Sequence, residues 1–555
     1  MNRIAFQAPD VIVIGAGMAG AFAARRLSDH RLRVLVLEAG PAAPQQRASA
    51  LRRWQARLRT GRPLPQPDRW PEPVWISQAP DGRGLRPGTA YMGHGPGGSS
   101  IVYGASLGRL RRADFLRDHR PDTGGTDALP NAWPIDYDVM RAYYRQAEAA
   151  LRVAGERDPL DPHDDSELTP PPPLSPRDSA LRDMMRARGL SPYRLHVGFD
   201  YLSGCTECAG HRCARSCKAD ACERALAGAL ASGLARLQAD VSVHSIHRVD
   251  GGFMVLDEAG AQSWYAPQVI VAAGALNTPL ILERSRTLWE GIGTPAMLGR
   301  GLMFHSSDAF MVRMSRTLSQ ARAERTLACR DFYEIDGQPY GEIQSFIRAL
   351  QPSTLMAGLR ARIRAPGWAA PLIEALRPLT WAVARLLGPQ PVLTTILEDL
   401  PFAHNRVSEG VRMPGAVSGR IEIRYQTPDE LLRRARVLRQ RLRMTFGPAR
   451  LLFLGATGQP NFGHPMGTCR MGTDRATSVV TPDGQVHDQP GLYVADASVF
   501  PSSGGTGPGL TVAALALRLG DHIAGRVAAH TDADVSRAKQ AGAAPALTAS
   551  RAARP

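Results

Sequence analysis

An α/β fold is predicted for this chain, and three observations carry the prediction. A strand, a glycine turn, a helix and a second strand open the sequence. Another apolar strand ending in small residues recurs at Gln268-Val-Ile-Val-Ala-Ala-Gly274. The length of 555 residues leaves room for large cores and roughly two to four domains.

In the opening unit, Asp10-Val-Ile-Val-Ile-Gly15 is a short apolar strand, residues 17–28 have helical character, and Arg33-Val-Leu-Val-Leu-Glu38 is the next strand. Gly15-Ala-Gly17-Met18-Ala19-Gly20 joins the first strand to the helix. The first glycine makes the tight turn, the second lets the backbone approach a pyrophosphate, and the third lets helix pack on strand. The helix start at Met18 and Ala19 supplies N–H groups and a positive dipole end for phosphates. Glu38, followed by Ala39, closes the second strand 21 residues beyond Gly17, where a carboxylate can accept hydrogen bonds from ribose hydroxyls. The unit is a Rossmann-like dinucleotide site. By itself it does not separate a flavin from a nicotinamide dinucleotide.

The other segments are less explicit. Residues 50–95, rich in proline, arginine and glycine, are expected to be loop-like. Residues 136–148 have helical spacing behind an aspartate, and residues 169–176 form a polyproline-like connector. Residues 356–391 alternate apolar and arginine-bearing stretches. They suit amphipathic helices of a substrate-facing layer, or a helix on a membrane surface, since both need an apolar face beside arginines. Residues 528–555, alanine-rich and without an apolar period, are expected to be a disordered tail.

Composition is ordinary for a globular protein, with 44% hydrophobic and 21% charged residues. The net charge of +16 comes almost wholly from arginine, Lys218 and Lys539 being the two lysines. It is spread along the chain, whereas a nucleic-acid footprint clusters and interleaves with aromatics, so no nucleic-acid partner is expected. No apolar run reaches the ~20 residues of a membrane span, so no transmembrane segment is expected. The first strand begins too early for a leader peptide, so a cytoplasmic location is expected, with peripheral membrane association left open.

Four further segments resemble one family. Gly93-His-Gly-Pro-Gly97-Gly98-Ser99-Ser100 is similar to a second signature of the glucose–methanol–choline (GMC) oxidoreductases. Val271-Ala-Ala273-Gly-Ala-Leu-Asn-Thr-Pro279 resembles their turn near the flavin, and His464-Pro-Met-Gly-Thr-Cys-Arg-Met-Gly472 resembles their active-site histidine loop. Leu492-Tyr-Val-Ala-Asp496-Ala497-Ser-Val-Phe-Pro501, followed by Thr511-Val-Ala-Ala, resembles the C-terminal strand and helix that close over FAD. The chain is thereby identified as a member of the family, nearest to its bacterial sugar and glycoside dehydrogenases.

The resemblance implies a discontinuous FAD-binding domain at 1–115, 200–300 and 450–527, and an α+β substrate-binding domain at 116–199 and 301–449. It implies FAD contacts from Gly97, Gly98, Ser99, Ser100, Tyr103, Val241, Ala273, Asp496, Ala497, Gly507 and Thr511, besides the residues of the opening unit. It also implies oxidation of an alcohol by hydride transfer to flavin N5, with His464 as base, since a pKa near 6.5 suits that task. Relatives tether FAD through a histidine just after the second signature. Here Ile101 and Val102 follow, so non-covalent FAD is expected.

The chain departs from the pattern at Gly507 and Gly509, where relatives carry an asparagine or histidine that partners the base. Losing one such donor costs on the order of 3 kcal/mol if nothing replaces it. His305, Glu398 and Asn405 are candidate replacements. Electrons are expected to pass to a cytochrome or other carrier. An oxidase releasing hydrogen peroxide, or a flavoprotein without alcohol oxidation, are the alternatives.

Five of the seven cysteines fall between Cys205 and Cys222. Their spacing suits a metal, and Cys208-x4-Cys213-x3-Cys217 resembles the iron–sulfur segment of membrane-linked sugar dehydrogenases, with Cys205 as a further ligand. Cysteines packed as small hydrophobes are a second reading, and a zinc site or a disulfide a third.

Overall fold

The computed structural model describes residues 8–42, 71–79, 81–116, 127–205, 207–314, 325–347, 355–356, 375–388, 390–414 and 420–542. Val-Ile-Val-Ile forms strand β1 (Val11–Ile14), every residue of it buried, as an inner strand of a parallel sheet must be. Helix α1 (Met18–Asp29) crosses to strand β2 (Val34–Leu37). Five strands then lie side by side in the order Leu492–Val494, Gln268–Val271, β1, β2, Ala235–Gln238, all parallel. Their carboxyl ends place the Gly15 turn beside Ala272 and Ala273, the edge at which doubly wound sheets bind ligands.

α1 packs on the long last helix, Gly509–Gly542. Arg26 clamps Asp521 through two hydrogen bonds of 2.5 and 2.7 Å, and a Cβ on Gly520 would stand 2.8 Å from Arg26 Cβ. That helix corrects the expected tail: residues 528–542 continue it rather than leaving it at 527. An alanine-rich stretch has high helix propensity and extends a turn already nucleated by packing. Residues 543–555 lie outside the described residues. Helix Tyr137–Leu151, capped by the Asp136 carboxylate on Asp138 N, lays Tyr144 against the same last helix. Its Tyr144 hydroxyl meets Thr511 Oγ1 at 2.9 Å. Its buried face belongs to the core of the parallel sheet, although the segment 116–199 was expected with the second domain.

The second large sheet is antiparallel, in the order Leu451–Phe453, Ala309–Val312, Val392–Leu397, Gly341–Ile347, Leu327–Cys329, Tyr193–Arg194. One face is covered by helices Pro176–Arg186 and Asp429–Phe446, whose Leu181, Met185, Leu431 and Leu438 pack with Phe310, Ile343 and Leu393. Within 50–95 the described residues are not all loop. Pro71–Ser77 and Arg86–Tyr91 pair as a hairpin in a four-stranded sheet, because Val74, Ile76 and Ala90 alternate inward onto Ile421 and Ile423. Pro71 and Pro73 fall ahead of the stretch, Trp75 to Ser77, that pairs with Glu422 to Arg424. Residues 43–70 lie outside the described residues.

Of the amphipathic segment 356–391, helix Arg377–Leu387 is described. It leaves Leu379, Trp381 and Leu386 exposed. Among the described residues no helix is long and apolar enough to cross a membrane.

Candidate active site

A cavity of about 690 Å³ runs from the carboxyl edge of the parallel sheet to the uncovered face of the antiparallel sheet. Its lower half is a cradle of backbone. Gly15 takes φ +102, a conformation that only glycine adopts freely, and a Cβ there would sit 2.4 Å from Ala272 O. The Gly93–Ser100 loop closes on this turn. Gly97 N donates to Ala16 O, and Gly98, at φ +52, would carry a Cβ 2.8 Å from Gly17 Cα.

Of the residues expected at the cofactor, Gly15, Gly17, Met18, Ala19, Glu38, Ala39, Gly98, Ser99, Ser100, Tyr103, Val241, Ala273, Asp496, Ala497 and Gly507 line the cavity. Gly20, Gly97 and Thr511 do not, and each shapes the site from behind. A Cβ on Gly20 would stand 1.9 Å from Gly15 O, Gly97 makes the left-handed turn of its loop, and Thr511 is buried against Tyr144. Glu38 also differs from expectation. Its carboxylate accepts from three backbone amides, Ala16 N at 2.8 Å, Gly40 N at 2.8 Å and Gly95 N at 3.0 Å. It therefore ties both glycine loops to the strand end, with one lone-pair site left for a ribose hydroxyl. Asp496 behaves alike, accepting from Gly274 N, Thr278 Oγ1 and Ser498 N. The cradle thus fits a dinucleotide: free glycine backbone at a helix start, with acidic groups tying the loops to the strand ends.

The upper half is made of side chains. Gln344 and Thr394 face each other across neighbouring strands, and with Phe346 and Ile396 they line the chamber roof. Ser106, Ser307, Gln459 and Asn461 add polar groups. No motif marks these residues. The alternation in Gly341-Glu-Ile-Gln-Ser-Phe-Ile347 is the signal that could have found two of them.

His464 lies where the halves meet, and the structure brings His305 to it. Their Nδ1 atoms are 3.0 Å apart, with the rings edge to face at 86°. Hydrogen-bond accounting assigns the protons. His305 Nε2 faces the carbonyls of Ser503 at 3.2 Å and Gly504 at 3.0 Å, which can only accept, so Nε2 carries the proton. His305 Nδ1 is then an acceptor, and His464 Nδ1–H donates to it. What remains is the His464 Nε2 lone pair, on the ring of the pair that lines the cavity.

Burial, opposed by its two carbonyl partners, pushes His305 down to about 4. Burial, then the charges of His305 and Arg325, pushes His464 down to about 3. Ser503 is fixed in turn, its Oγ donating to Asp399 O and accepting from Asp399 N.

The other two candidates do not join the site. Both Asn405 amide atoms bond the backbone of Gln426, and Glu398 is buried near Tyr333. Gly507 lines the cavity, where a Cβ would come within 3.3 Å of Ser106 O. At Gly509 it would meet Leu107 Cδ2 at 3.4 Å. A side chain at either place would press on the segment behind the cavity wall.

The cysteine segment is gathered around a lysine. Lys218, fully buried, donates to the carbonyls of Ile101, Cys208 and His211. Cys213 and Cys217 sulfurs are 3.3 Å apart, and Cys217 and Cys205 are 3.8 Å apart. Among the described residues no three or more histidine, cysteine or acidic side chains are arranged to hold a metal ion. The expected iron–sulfur cluster thus finds no support among the described residues.

A parallel sheet with a glycine cradle at its carboxyl edge, and a histidine chamber above, defines a dinucleotide-dependent oxidoreductase. Comparison with known proteins agrees. Residues 10–321 match the FAD dependent oxidoreductase family and residues 433–516 the GMC oxidoreductase family. The chain therefore belongs to the FAD-dependent oxidoreductases, in their GMC branch.

It is 29% identical to paromamine 6'-oxidase of Streptomyces fradiae, over 94% of this chain and 92% of that one. It is 26% identical to 2-methyl-1,2-propanediol dehydrogenase of Mycolicibacterium austroafricanum, over 93% and 95%. Pyridoxine 4-oxidase, whose crystal structure covers 93% of this chain and 99% of its own at 19% identity, shares the fold with a TM-score of 0.58.

Proposed function

We propose that this flavoprotein oxidises the CH–OH group of a small alcohol, with His464 Nε2 as the base that takes the hydroxyl proton. The observation that carries the reading is the histidine pair. Its hydrogen bonds leave one bare nitrogen, at the junction of cradle and chamber. FAD, when bound, supplies the hydride acceptor. The chain's own part is to hold the carbinol under the roof, exclude water and remove the proton. His305 is the positioning residue: it keeps the proton on His464 Nδ1, so that Nε2 is the basic atom. It stands in for the partner absent at Gly507 and Gly509.

The binding residues are the cradle set above, and FAD is held without a covalent tether, since Ile101 and Val102 stand where relatives carry the linking histidine. The domain division expected from the resemblance is retained in outline, with helix Tyr137–Leu151 assigned to the FAD-binding side.

Electrons pass on to a carrier such as a cytochrome or, in the alternative, to dioxygen. The relatives include both an oxidase and a dehydrogenase by name. The cysteines act as a packed loop strapped by Lys218. Iron and acid-labile sulfide in stoichiometric amounts on the purified protein would overturn that.

Anaerobic mixing with a panel of alcohols tests the main reading. Bleaching of the bound flavin that is lost in His464→Gln supports it, and no bleaching by any alcohol sinks it. Peroxide release against dye reduction then decides the acceptor.

A further inference from the structure

The proton order of the base depends on His305, and the groups that hold His305 converge on one buried carboxylate. The segment carrying it runs antiparallel to the end of strand Val392–Leu397, where Ser306 and Leu397 exchange both backbone hydrogen bonds, at 3.1 and 2.9 Å. Two residues on, a regular ladder would pair Phe304 with Asp399 through their peptide groups. Phe304 N donates instead to the Asp399 carboxylate, at 2.9 Å. The Asp399 peptide group is thereby released to Ser503, its N donating to Ser503 Oγ at 2.9 Å and its O accepting from that hydroxyl at 3.0 Å.

One residue thus grips both segments that meet at His305. Its side chain fixes the peptide next to the ring. Its backbone fixes Ser503, whose carbonyl, with that of Gly504, receives the His305 Nε2 proton. The carboxylate is fully buried and takes two further donors, Tyr425 Oη at 2.7 Å and Leu400 N at 2.9 Å. Burial pushes the carboxyl up to about 7, opposed by the hydrogen bonds of Phe304 N, Tyr425 and Leu400 N and by the charge of Arg434. If filling space were its task, an apolar side chain of like volume would do so without that penalty. What the carboxylate adds is an acceptor for three donors at once.

We infer that Asp399 is a positioning residue for the base: by holding Phe304 and Ser503 together it keeps the His305 proton on Nε2, and so leaves His464 Nε2 as the basic atom. Its effect on rate rests on the alcohol-oxidation reading; its effect on the ring proton does not.

The test uses the full-length holoprotein, with its histidines labelled by a heavy nitrogen isotope and read by NMR. The His305 ring is assigned by the signals missing from His305→Gln, and its nitrogen shifts report which atom carries the proton. The wild type is expected to show that proton on Nε2. Asp399→Asn, whose NH2 would confront other donors, is expected to divide it between the two nitrogens. The same variant is expected to reduce its flavin about tenfold more slowly on anaerobic mixing with an alcohol, at unchanged apparent Kd for that alcohol. In a His305→Leu background the substitution is expected to change the rate by less than about twofold, since the residue it acts through is gone.

Where Asp399→Asn does not fold, Ser503→Ala decides, because it cuts the same grip from the other side and is expected to move both readouts in the same direction. A His305 proton that stays on Nε2 in the variants would overturn the inference, as would an equal loss of rate with and without His305. If no alcohol bleaches the flavin, the oxidation reading falls, and the ring proton alone then decides whether Asp399 sets the order of the pair.

Discussion

The floor and the roof of the cavity are built by opposite means. In the floor, backbone meets backbone: Gly15 against Ala272, Gly17 against Gly98, Gly40 against Gly95. In the roof, side chains hang from alternate positions of an antiparallel sheet, Gln344 and Phe346 beside Thr394 and Ile396. A floor of this kind admits little variation, because at Gly15, Gly20, Gly40 and Gly98 a Cβ would collide with the backbone of another segment. A roof of this kind tolerates any side chain that fills the space, and its chemistry changes with each choice. Substitutions in the floor should therefore be steric and close to all-or-none, and those at the roof and its histidines graded and chemical.

The largest effect tests the floor. Gly20→Val would drive a branched side chain into Gly15 O, 1.9 Å from where its Cβ must stand, with backbone on the far side that cannot yield. The expected product has lost its flavin, read from the ratio of flavin to protein absorbance after purification. Retention of full FAD content would show that the cradle can open, and would remove the contrast with the roof.

Next comes the base. His464→Gln keeps a polar group of similar length but no basic nitrogen. The expectation is normal FAD content with the rate of flavin reduction lowered by about a thousandfold. A loss under tenfold would assign proton removal to another group.

His305→Leu is expected to do less, lowering the rate by roughly ten- to a hundredfold as the His464 proton redistributes between its two nitrogens. A purely structural role for His305 would lower flavin content or melting temperature in step with rate. A positioning role lowers rate at full occupancy and alters the pH profile.

How much of this the sequence disclosed follows the same division. Strand, turn and helix at Asp10 to Asp29 were legible because backbone geometry restricts residue type: only glycine fits Gly15 and Gly20, and that restriction leaves a spacing. His464 was legible through its loop. Its partner was not, since His305 is 159 positions away and long-range backbone pairing, of Met303 with Met466 and of Ser306 with Pro460, brings the two segments together. Arg325 is one arginine among many, and its place on the cavity wall comes from the glycine at 104 that makes room for it. Tertiary context also overrode local signals. The proline-rich stretch at Pro71–Ser77 is a strand because two neighbours pair with it, and 528–542 is helical because a buried helix precedes it.

The smallest effect is on stability, and its sign is fixed by the direction of the shift. His305 is held near 4, below the ordinary value of 6.5 that it regains when unfolded. Between those values the unfolded chain binds a proton that the folded one refuses. The contribution of the neutral ring is thus complete above about pH 6.5 and is lost as pH falls toward 4. Each pH unit in that window costs at most about 1.4 kcal/mol for this ring. His305→Gln titrates in neither state, so its melting temperature should fall less steeply from pH 6.5 to 4 than that of the wild type, while the two curves run parallel from pH 7 to 8. Parallel curves throughout would mean that His305 takes up its proton inside the fold, and Nδ1 could then no longer accept from His464. The roof would lose the proton order on which the base depends, and the floor would be untouched.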